Sequence, residues 1–324
     1  MSLAKLYGSM ALSFLIVTGV SLLMLYLIML MLGAPIITIA IVLVGATYLL
    51  QWIISPYIID AIYRVRPLDP SEEPWLHQAV SDIAYRSGIS KPKLMIAHIA
   101  IPNAFAYGNP IAGYRVAVTD GLLNLKGITQ QEVTAIVGHE IGHLKHRDVA
   151  FMMIVGLLPA LVLWIGEFLI RWGWLAGFSN RRRNSLTPLA IIGIGALAIL
   201  IGFLLNLGIL YLSRLREYYA DAHSAKVIPG GAKYLQRALA RILLATGYLK
   251  RRGINTEKYG QLKMLFISAT EHSIDPLGFY GNIDAVVEEV KRMKPSLLAE
   301  VFSTHPHPAK RFIFLDRLEL SSVS

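Results

Sequence analysis

The sequence predicts a mainly α-helical integral membrane protein, with four hydrophobic helices and a polar domain that contains a small β-sheet. Of the 324 residues, 55% are hydrophobic and only 16% are charged, whereas about a quarter of the residues are charged in a typical soluble domain. The shortage of charge is confined to two stretches, residues 12–59 and 150–212. The rest of the chain has the composition of a soluble protein, so we expect lipid to solvate some segments and water the others.

The first two hydrophobic helices are expected in an N-terminal transmembrane hairpin, residues 10–59. The uncharged runs 10–32 and 36–59 are each long enough to cross a hydrocarbon core of about 30 Å. Gly33-Ala34-Pro35 between them predicts a turn. A cleaved signal peptide is the alternative for the first run, although the run is long for one and lacks a clear small-residue cleavage site.

The third and fourth runs, residues 150–170 and 189–212, predict a second membrane hairpin over residues 150–212. Pro159 interrupts the third run, and three arginines at 181–183 lie between the two runs. If both runs cross the membrane, these arginines lie outside the cell, against the positive-inside rule. The sequence therefore leaves open whether this hairpin crosses fully or only penetrates the bilayer.

The formal net charge of +10 could suit nucleic acid or an anionic membrane surface. No basic stripe interleaved with aromatic residues supports nucleic acid as a partner. Nine Lys and Arg residues between 64 and 147, and seventeen between 214 and 317, flank the hydrophobic stretches, which favours a cytoplasmic polar domain. Cysteine is absent, which excludes disulfides, a thiolate metal site and a cysteine nucleophile.

The polar domain is expected in two parts, residues 60–149 and 213–324. In the first part, residues 93–99, 103–108 and 114–120 predict short strands separated by proline and glycine. An edge of such a sheet could pair with an extended substrate backbone and would then tolerate many substrate sequences.

A metal-binding motif follows the predicted sheet, because residues 138–143 read Gly-His-Glu-Ile-Gly-His. A capping box that begins at Thr129 predicts that the motif lies on a helix. On a helix, His139 and His143 point the same way and can bind one cation. Glu140 lies beside them as a candidate general base. Ordinary histidines on an amphipathic helix are the alternative interpretation.

A catalytic zinc ion takes three protein ligands and keeps a fourth position open. A third histidine in the common downstream position is absent, because Val149 stands there. Glu217 is the candidate third ligand, and Asp221, four residues later on the same helical face, can accept the free N–H of a ligand histidine. Pairing of the hydrophobic runs that separate His143 from Glu217 would bring the two together. A plain charged helix face is the alternative.

These residues resemble the HtpX family of membrane zinc endopeptidases, relatives of the CaaX prenyl proteases. The similar segments cover most of the chain and are residues 103–106, 138–148, 213–222 and 304–306, together with Arg311. The resemblance implies a gluzincin-like protease domain with one Zn²⁺ ion. It implies the ligands His139, His143 and Glu217, with Glu140 as the catalytic base and Asp221 orienting a ligand histidine.

The resemblance also implies a multi-pass protein of the plasma membrane whose site faces the cytoplasm. Its partners would be membrane lipid and polypeptide substrates, namely misfolded or damaged membrane proteins. Asn103, His305 and Arg311 are candidate substrate or oxyanion contacts, although Asn103 could equally be a turn residue. The tail reads His305-Pro306-His307-Pro308, which leaves open which histidine faces the site.

Three other functions remain as alternatives. An intramembrane protease is disfavoured, because the motif helix has polar residues at both ends. A prenyl-protein protease of the CaaX type is expected to have more than four membrane helices. A non-catalytic membrane scaffold with a protease-like fold is expected to have lost part of its ligand set. The sequence does not identify the natural substrates or the oligomeric state.

Overall fold

The computed structural model describes residues 3–32, 34–179, 187–251 and 282–323, so the arginines at 181–183 lie outside the described residues. Its helices are α1 Leu3–Leu32, α2 Ala34–Tyr63, α3 Pro74–Ser87, α4 Asp120–Leu123, α5 Gln130–Lys145, α6 Asp148–Ser179, α7 Thr187–Val227, α8 Gly231–Arg251, α9 Ile283–Arg292, α10 Leu297–Val301 and α11 Pro308–Val323. Its strands are β1 Val65–Pro67, β2 Lys93–Ala97, β3 Ala104–Asn109 and β4 Gly113–Thr119.

Four helices, α1, α2, α6 and α7, are long and apolar enough to cross a membrane by their length and composition. The predicted fold class is therefore confirmed. The helices are longer than the predicted runs, and Pro159 lies inside α6 without ending it. Long apolar helices tolerate proline because neighbouring groups can satisfy the freed backbone carbonyl. α2 begins at Ala34, inside the predicted turn, and Pro35 stands in its first turn, where no helical N–H donor is needed.

The chain divides into two compact units. We call one the apolar unit, which comprises Leu3–Trp52 and Ala150–Leu212, and the other the mixed unit, which comprises Ile53–Val149 and Ser213–Ser324. In the apolar unit, α6 and α7 pack closely through Gly166 and Gly195, since a Cβ atom at Gly195 would lie 2.8 Å from the carbonyl oxygen of Gly166. Small residues at such crossings let helix backbones approach without steric conflict.

The mixed unit contains a four-stranded sheet in the order β1-β2-β4-β3. β2 pairs with β4 in parallel, with Lys93 opposite Arg115, and the other two pairings are antiparallel. Among the described strands, β3 therefore lies at one edge of the sheet. Tyr107 of β3 donates a hydrogen bond of 2.6 Å to Asp60 of α2, and Arg115 of β4 pairs with the same carboxylate, so α2 fixes the hairpin that β3 and β4 form.

The predicted strands are confirmed to within two residues. β1, α3 and α8 were not predicted. The sheet, α3, α5, α8, α9 and α11 contribute side chains to one hydrophobic core, which includes Leu76, Val116, Ile136, Leu239 and Phe312. This core fixes α5, and with it the metal-binding motif, against the sheet.

Candidate metal centre

The helix that carries the motif, α5, begins at a complete capping box. The Thr129 hydroxyl accepts a hydrogen bond of 3.2 Å from the backbone N–H of Glu132, and the Glu132 carboxylate accepts one of 2.9 Å from the N–H of Thr129. Nε of Arg241 from α8 lies 3.0 Å from the same carboxylate. These contacts satisfy free N–H groups at the helix start, so the register of His139 and His143 is fixed from the first turn.

Two glycines allow α5 to lie very close to α7. A Cβ atom at Gly138 would lie 3.1 Å from Oγ of Ser224, and one at Gly142 would lie 3.2 Å from Cα of Ala220. Each glycine directly precedes a motif histidine. The close approach of the two backbones therefore places the histidines within reach of the acidic side chains of α7.

His139, His143 and Glu217 come together at this contact. The Nε2 atoms of the two histidines are 3.1 Å apart, and the Glu217 carboxylate lies 3.7 Å from Nε2 of His139 and 3.5 Å from Nε2 of His143. One ligand atom from each residue lies within 4.8 Å of the others, so the three could hold a metal ion. Two imidazoles and a carboxylate suit zinc.

Carboxylates contact the opposite side of both imidazole rings. Nδ1 of His143 lies 2.6 Å from Oδ2 of Asp148, and Nδ1 of His139 lies 2.9 Å from Oδ1 of Asp221. A proton on Nδ1 facing a carboxylate leaves the lone pair on Nε2, where the rings face Glu217. Burial lowers the pKa of His139, which favours the neutral ring that a metal requires.

Two buried arginines balance these carboxylates. Arg311 of α11 donates to both oxygens of Asp221, at 2.9 and 2.6 Å, and its Nη1 atom lies 3.4 Å from Glu217. Burial opposes the charge on Arg311, yet its pKa is raised, because the charge and hydrogen bonds of Asp221 favour the cation. Arg216 forms an ion pair with Asp148 through a single nitrogen, Nη2. The carboxylates that orient the histidines are thus held in place by fixed positive charges.

Glu140 faces the edge strand of the sheet. It is buried, and its Oε2 atom accepts a hydrogen bond of 2.7 Å from the backbone N–H of Ala106 in β3. Burial raises the pKa of Glu140 to about 7, so this carboxyl group can gain and lose a proton near neutral pH. The contact also shows that the free edge of β3 lies beside the motif helix.

Among the two tail histidines, His305 is the one beside the metal-binding cluster. Its Nδ1 atom lies 3.1 Å from Oε2 of Glu217. Nδ1 of His307 instead accepts a hydrogen bond of 3.2 Å from the backbone N–H of Ala309, in the first turn of α11. The structure thus shows which of the two tail histidines lies beside the metal-binding cluster, a point that the sequence left open.

Asn103, the third candidate contact, is buried at the start of β3. Its backbone N–H donates to the Thr119 hydroxyl at 2.9 Å, and its carbonyl accepts a hydrogen bond of 3.0 Å from the N–H of Thr119. These backbone contacts join the ends of β3 and β4. Asn103 is not one of the three residues that could hold a metal.

Sequence reasoning missed three contributors to the site, namely Asp148, Arg216 and the N–H of Ala106. A signal existed for Asp148, because an acidic residue five positions after the second motif histidine can turn back towards it at the helix end. The sequence alone allows Arg216 a lipid headgroup or a nearby carboxylate as partner and favours a solvated or structural role. No sequence pattern could identify the Ala106 N–H, because its role depends on how the sheet packs on α5.

Residues 70–319 match the pattern of Peptidase family M48. A protein named Protease HtpX homolog from Aeropyrum pernix is 43% identical over 275 residues, which are 84% of this chain and 83% of the relative. One of the same name from Pyrobaculum calidifontis is 38% identical over 323 residues, which are 97% and 88% of the two chains. The crystal structure of S. mikatae Ste24p is similar in fold, with 19% identity, a TM-score of 0.55, and coverage of 97% of this chain and 67% of that one.

Proposed function

The chain belongs to peptidase family M48 and is an HtpX-like membrane metalloprotease, and from this premise we propose that it is a zinc-dependent endopeptidase of the plasma membrane. The observation that carries the proposal is the convergence of His139, His143 and Glu217 around one point, although about seventy residues of sequence separate the histidines from the glutamate. The carboxylates behind the two rings support zinc further, because zinc-bound histidines usually donate their second N–H to such a group.

In this proposal His139, His143 and Glu217 hold the zinc ion. When bound, zinc polarises the scissile carbonyl group and acidifies a water molecule. His305 lies beside Glu217 and is our candidate for contacting the oxyanion or the substrate. Arg311 binds Asp221 bidentately, so we now assign it to positioning that carboxylate rather than to the oxyanion contact that the resemblance suggested.

Glu140 is the proposed general base. Its carboxylate would take a proton from the attacking water and then deliver it to the departing amine nitrogen. The hydrogen bond from Ala106 fixes one carboxylate oxygen and leaves the other to exchange the proton. No other acidic side chain is needed for either transfer.

The proposed substrate is an extended, unfolded segment of a polypeptide. β3 is an edge strand, and Ala106 at its centre contacts Glu140. A peptide that pairs with this edge would therefore pass the general base, and its binding would depend on main-chain hydrogen bonds more than on side chains. Such tolerance suits the removal of misfolded or damaged membrane proteins on the cytoplasmic side, which is the physiological role we propose.

Cleavage of an unfolded membrane protein in proteoliposomes tests this proposal. We expect zinc-loaded protein to cleave it, and Glu140→Gln to retain zinc but lose at least a factor of about 100 in rate, since a general base contributes roughly 10²–10⁴. Glu289→Gln, at an exposed glutamate of α9, is the matched control and should cleave normally. Undiminished cleavage by Glu140→Gln would refute the assigned base. Preference for a prenylated peptide over the unfolded protein would favour the CaaX-type alternative.

A further inference from the structure

A cluster of apolar side chains is exposed on the mixed unit, on and beside the short helix α10. The exposed fractions are 77% for Leu297, 75% for Leu298 and 58% for Phe302. Met293 and Val301 are exposed as well. We call these five residues the apolar patch. Water-exposed surfaces seldom carry so many large apolar side chains within ten residues of sequence, and where they do a binding partner usually covers them.

Arg214 fixes the position of the apolar patch along α7. Its Nη1 atom donates hydrogen bonds of 3.2 Å to the carbonyl oxygen of Val301 and 2.7 Å to that of Ser303. Arg214 lies two residues after Leu212, the last residue of the fourth hydrophobic run. At 1.5 Å per residue this is about 3 Å along the helix. The patch is therefore attached where the apolar surface of α7 gives way to polar residues, which is where a bilayer would end.

The charges around the apolar patch suit an anionic lipid surface. Arg292 and Lys294 are exposed on the segment that leads into α10. Glu300 is the one acidic residue in the sequence from 292 to 302, and Lys310 pairs with it. Basic residues beside exposed apolar side chains are the combination by which short helices bind the boundary between lipid headgroups and acyl chains.

We propose that residues 292–302 rest on the bilayer surface, with the apolar patch inserted among the upper acyl chains and Arg292 and Lys294 against anionic headgroups. The occupant of the patch is thus lipid. This contact would hold the loop that leads from α10 to His305 at the membrane, close to where a membrane-protein substrate emerges. The inference needs no proteolytic activity, so it stands or fails independently of the proposed function.

Because the chain has no cysteine, a single introduced cysteine can be labelled at one chosen position. Leu298→Cys carries a nitroxide spin label in the zinc-loaded full chain, reconstituted in vesicles of phosphatidylcholine and phosphatidylglycerol. Tyr85→Cys is the control, since Tyr85 of α3 is 87% exposed and no apolar cluster surrounds it on its helix. Collision rates of each label with oxygen and with a water-soluble nickel chelate are measured by electron paramagnetic resonance.

We expect the label at 298 to collide several-fold more with oxygen than with the nickel chelate, and the label at 85 to show the reverse. Charge reversal by Arg292→Glu with Lys294→Glu should move the label at 298 towards water. Equal access of the nickel chelate to both labels would overturn the proposal. Spin–spin broadening at 298 would identify a second copy of the chain as the occupant, and immobilisation only after adding unfolded substrate would identify the substrate; both results contradict lipid contact.

Discussion

Replacement of Gly142 by alanine should weaken metal binding without unfolding the protein. In the structure the new Cβ atom would lie 3.1 Å from Cβ of His223 and 3.2 Å from Cα of Ala220. Ordinary contacts between such atoms are a few tenths of an ångström longer, so α5 and α7 must separate by that amount. His143 follows Gly142 directly, and the separation therefore moves it away from Glu217.

The expected magnitudes follow from this geometry. Overpacking costs about 1–3 kcal/mol, and the change from glycine to alanine in a helix interior returns about 1 kcal/mol, so the free energy of unfolding should fall by roughly 0–2 kcal/mol. Ligand positions are tolerated within about 0.2 Å. A shift of His143 by a few tenths of an ångström should therefore lower zinc affinity about tenfold, which corresponds to about 1.4 kcal/mol.

Competition with a chromophoric zinc chelator measures this affinity in detergent. Gly156→Ala is the matched control, because nothing lies within 4 Å of a Cβ atom at Gly156 in α6; it should bind zinc as the unmodified protein does. If Gly142→Ala binds zinc as tightly as Gly156→Ala, the close approach of α5 and α7 does not set the ligand geometry, and the reasoning is refuted.

Three further changes test the contacts around the site. Asp148→Asn should lower zinc affinity about 10–100-fold, because it weakens the group that orients His143; an unchanged affinity would rule out that role. Arg311→Met leaves the buried Asp221 without its cation and should cost about 3–5 kcal/mol of stability, seen as a lower melting temperature, whereas no change would mean that the pair is dispensable. Thr129→Ala removes the cap of α5 and should cost about 1 kcal/mol in the same melting assay. Chelation of zinc initially present at about 100 times its Kd should remove about 2.7 kcal/mol, and an unchanged melting temperature would contradict a folded-state metal site.

Much of the fold follows from patterns that are local in the sequence. The four apolar helices are evident because lipid requires long uncharged runs, and the start of α5 is evident because Thr129 and Glu132 form a capping box within four residues. The strands near Lys93, Asn103 and Tyr114 are marked by the turn residues between them. Such signals need no knowledge of tertiary packing.

The elements that were missed depend on tertiary contacts. β1 has three residues and exists because Val65 pairs with Ala97 of β2. α3 begins after Glu73, which makes no side-chain capping hydrogen bond, so its local start signal is limited to Pro74 in the first turn. α8 is the exception, because Leu235, Leu239 and Leu243 recur every four residues and form its buried face, a helical pattern that is already present in the sequence.

The candidate site divides in the same way. His139, Glu140, His143 and Glu217 could be proposed from the sequence because helical spacing and the hydrophobic runs limit where they can lie. The contact of Glu140 with Ala106 could not, since it depends on how the sheet packs on α5. The preference for His305 over His307 likewise depends on the packing of the tail against α7.

X-ray absorption at the zinc K-edge, on the purified zinc-loaded protein and on Glu217→Gln, tests the central claim most directly. We predict one zinc ion per chain with two imidazole nitrogens at about 2.0–2.1 Å. In Glu217→Gln the ligand shell should lose a carboxylate contribution, and the protein should no longer cleave the unfolded substrate. A spectrum without imidazole scattering, or a shell that is identical in the two proteins, would contradict it.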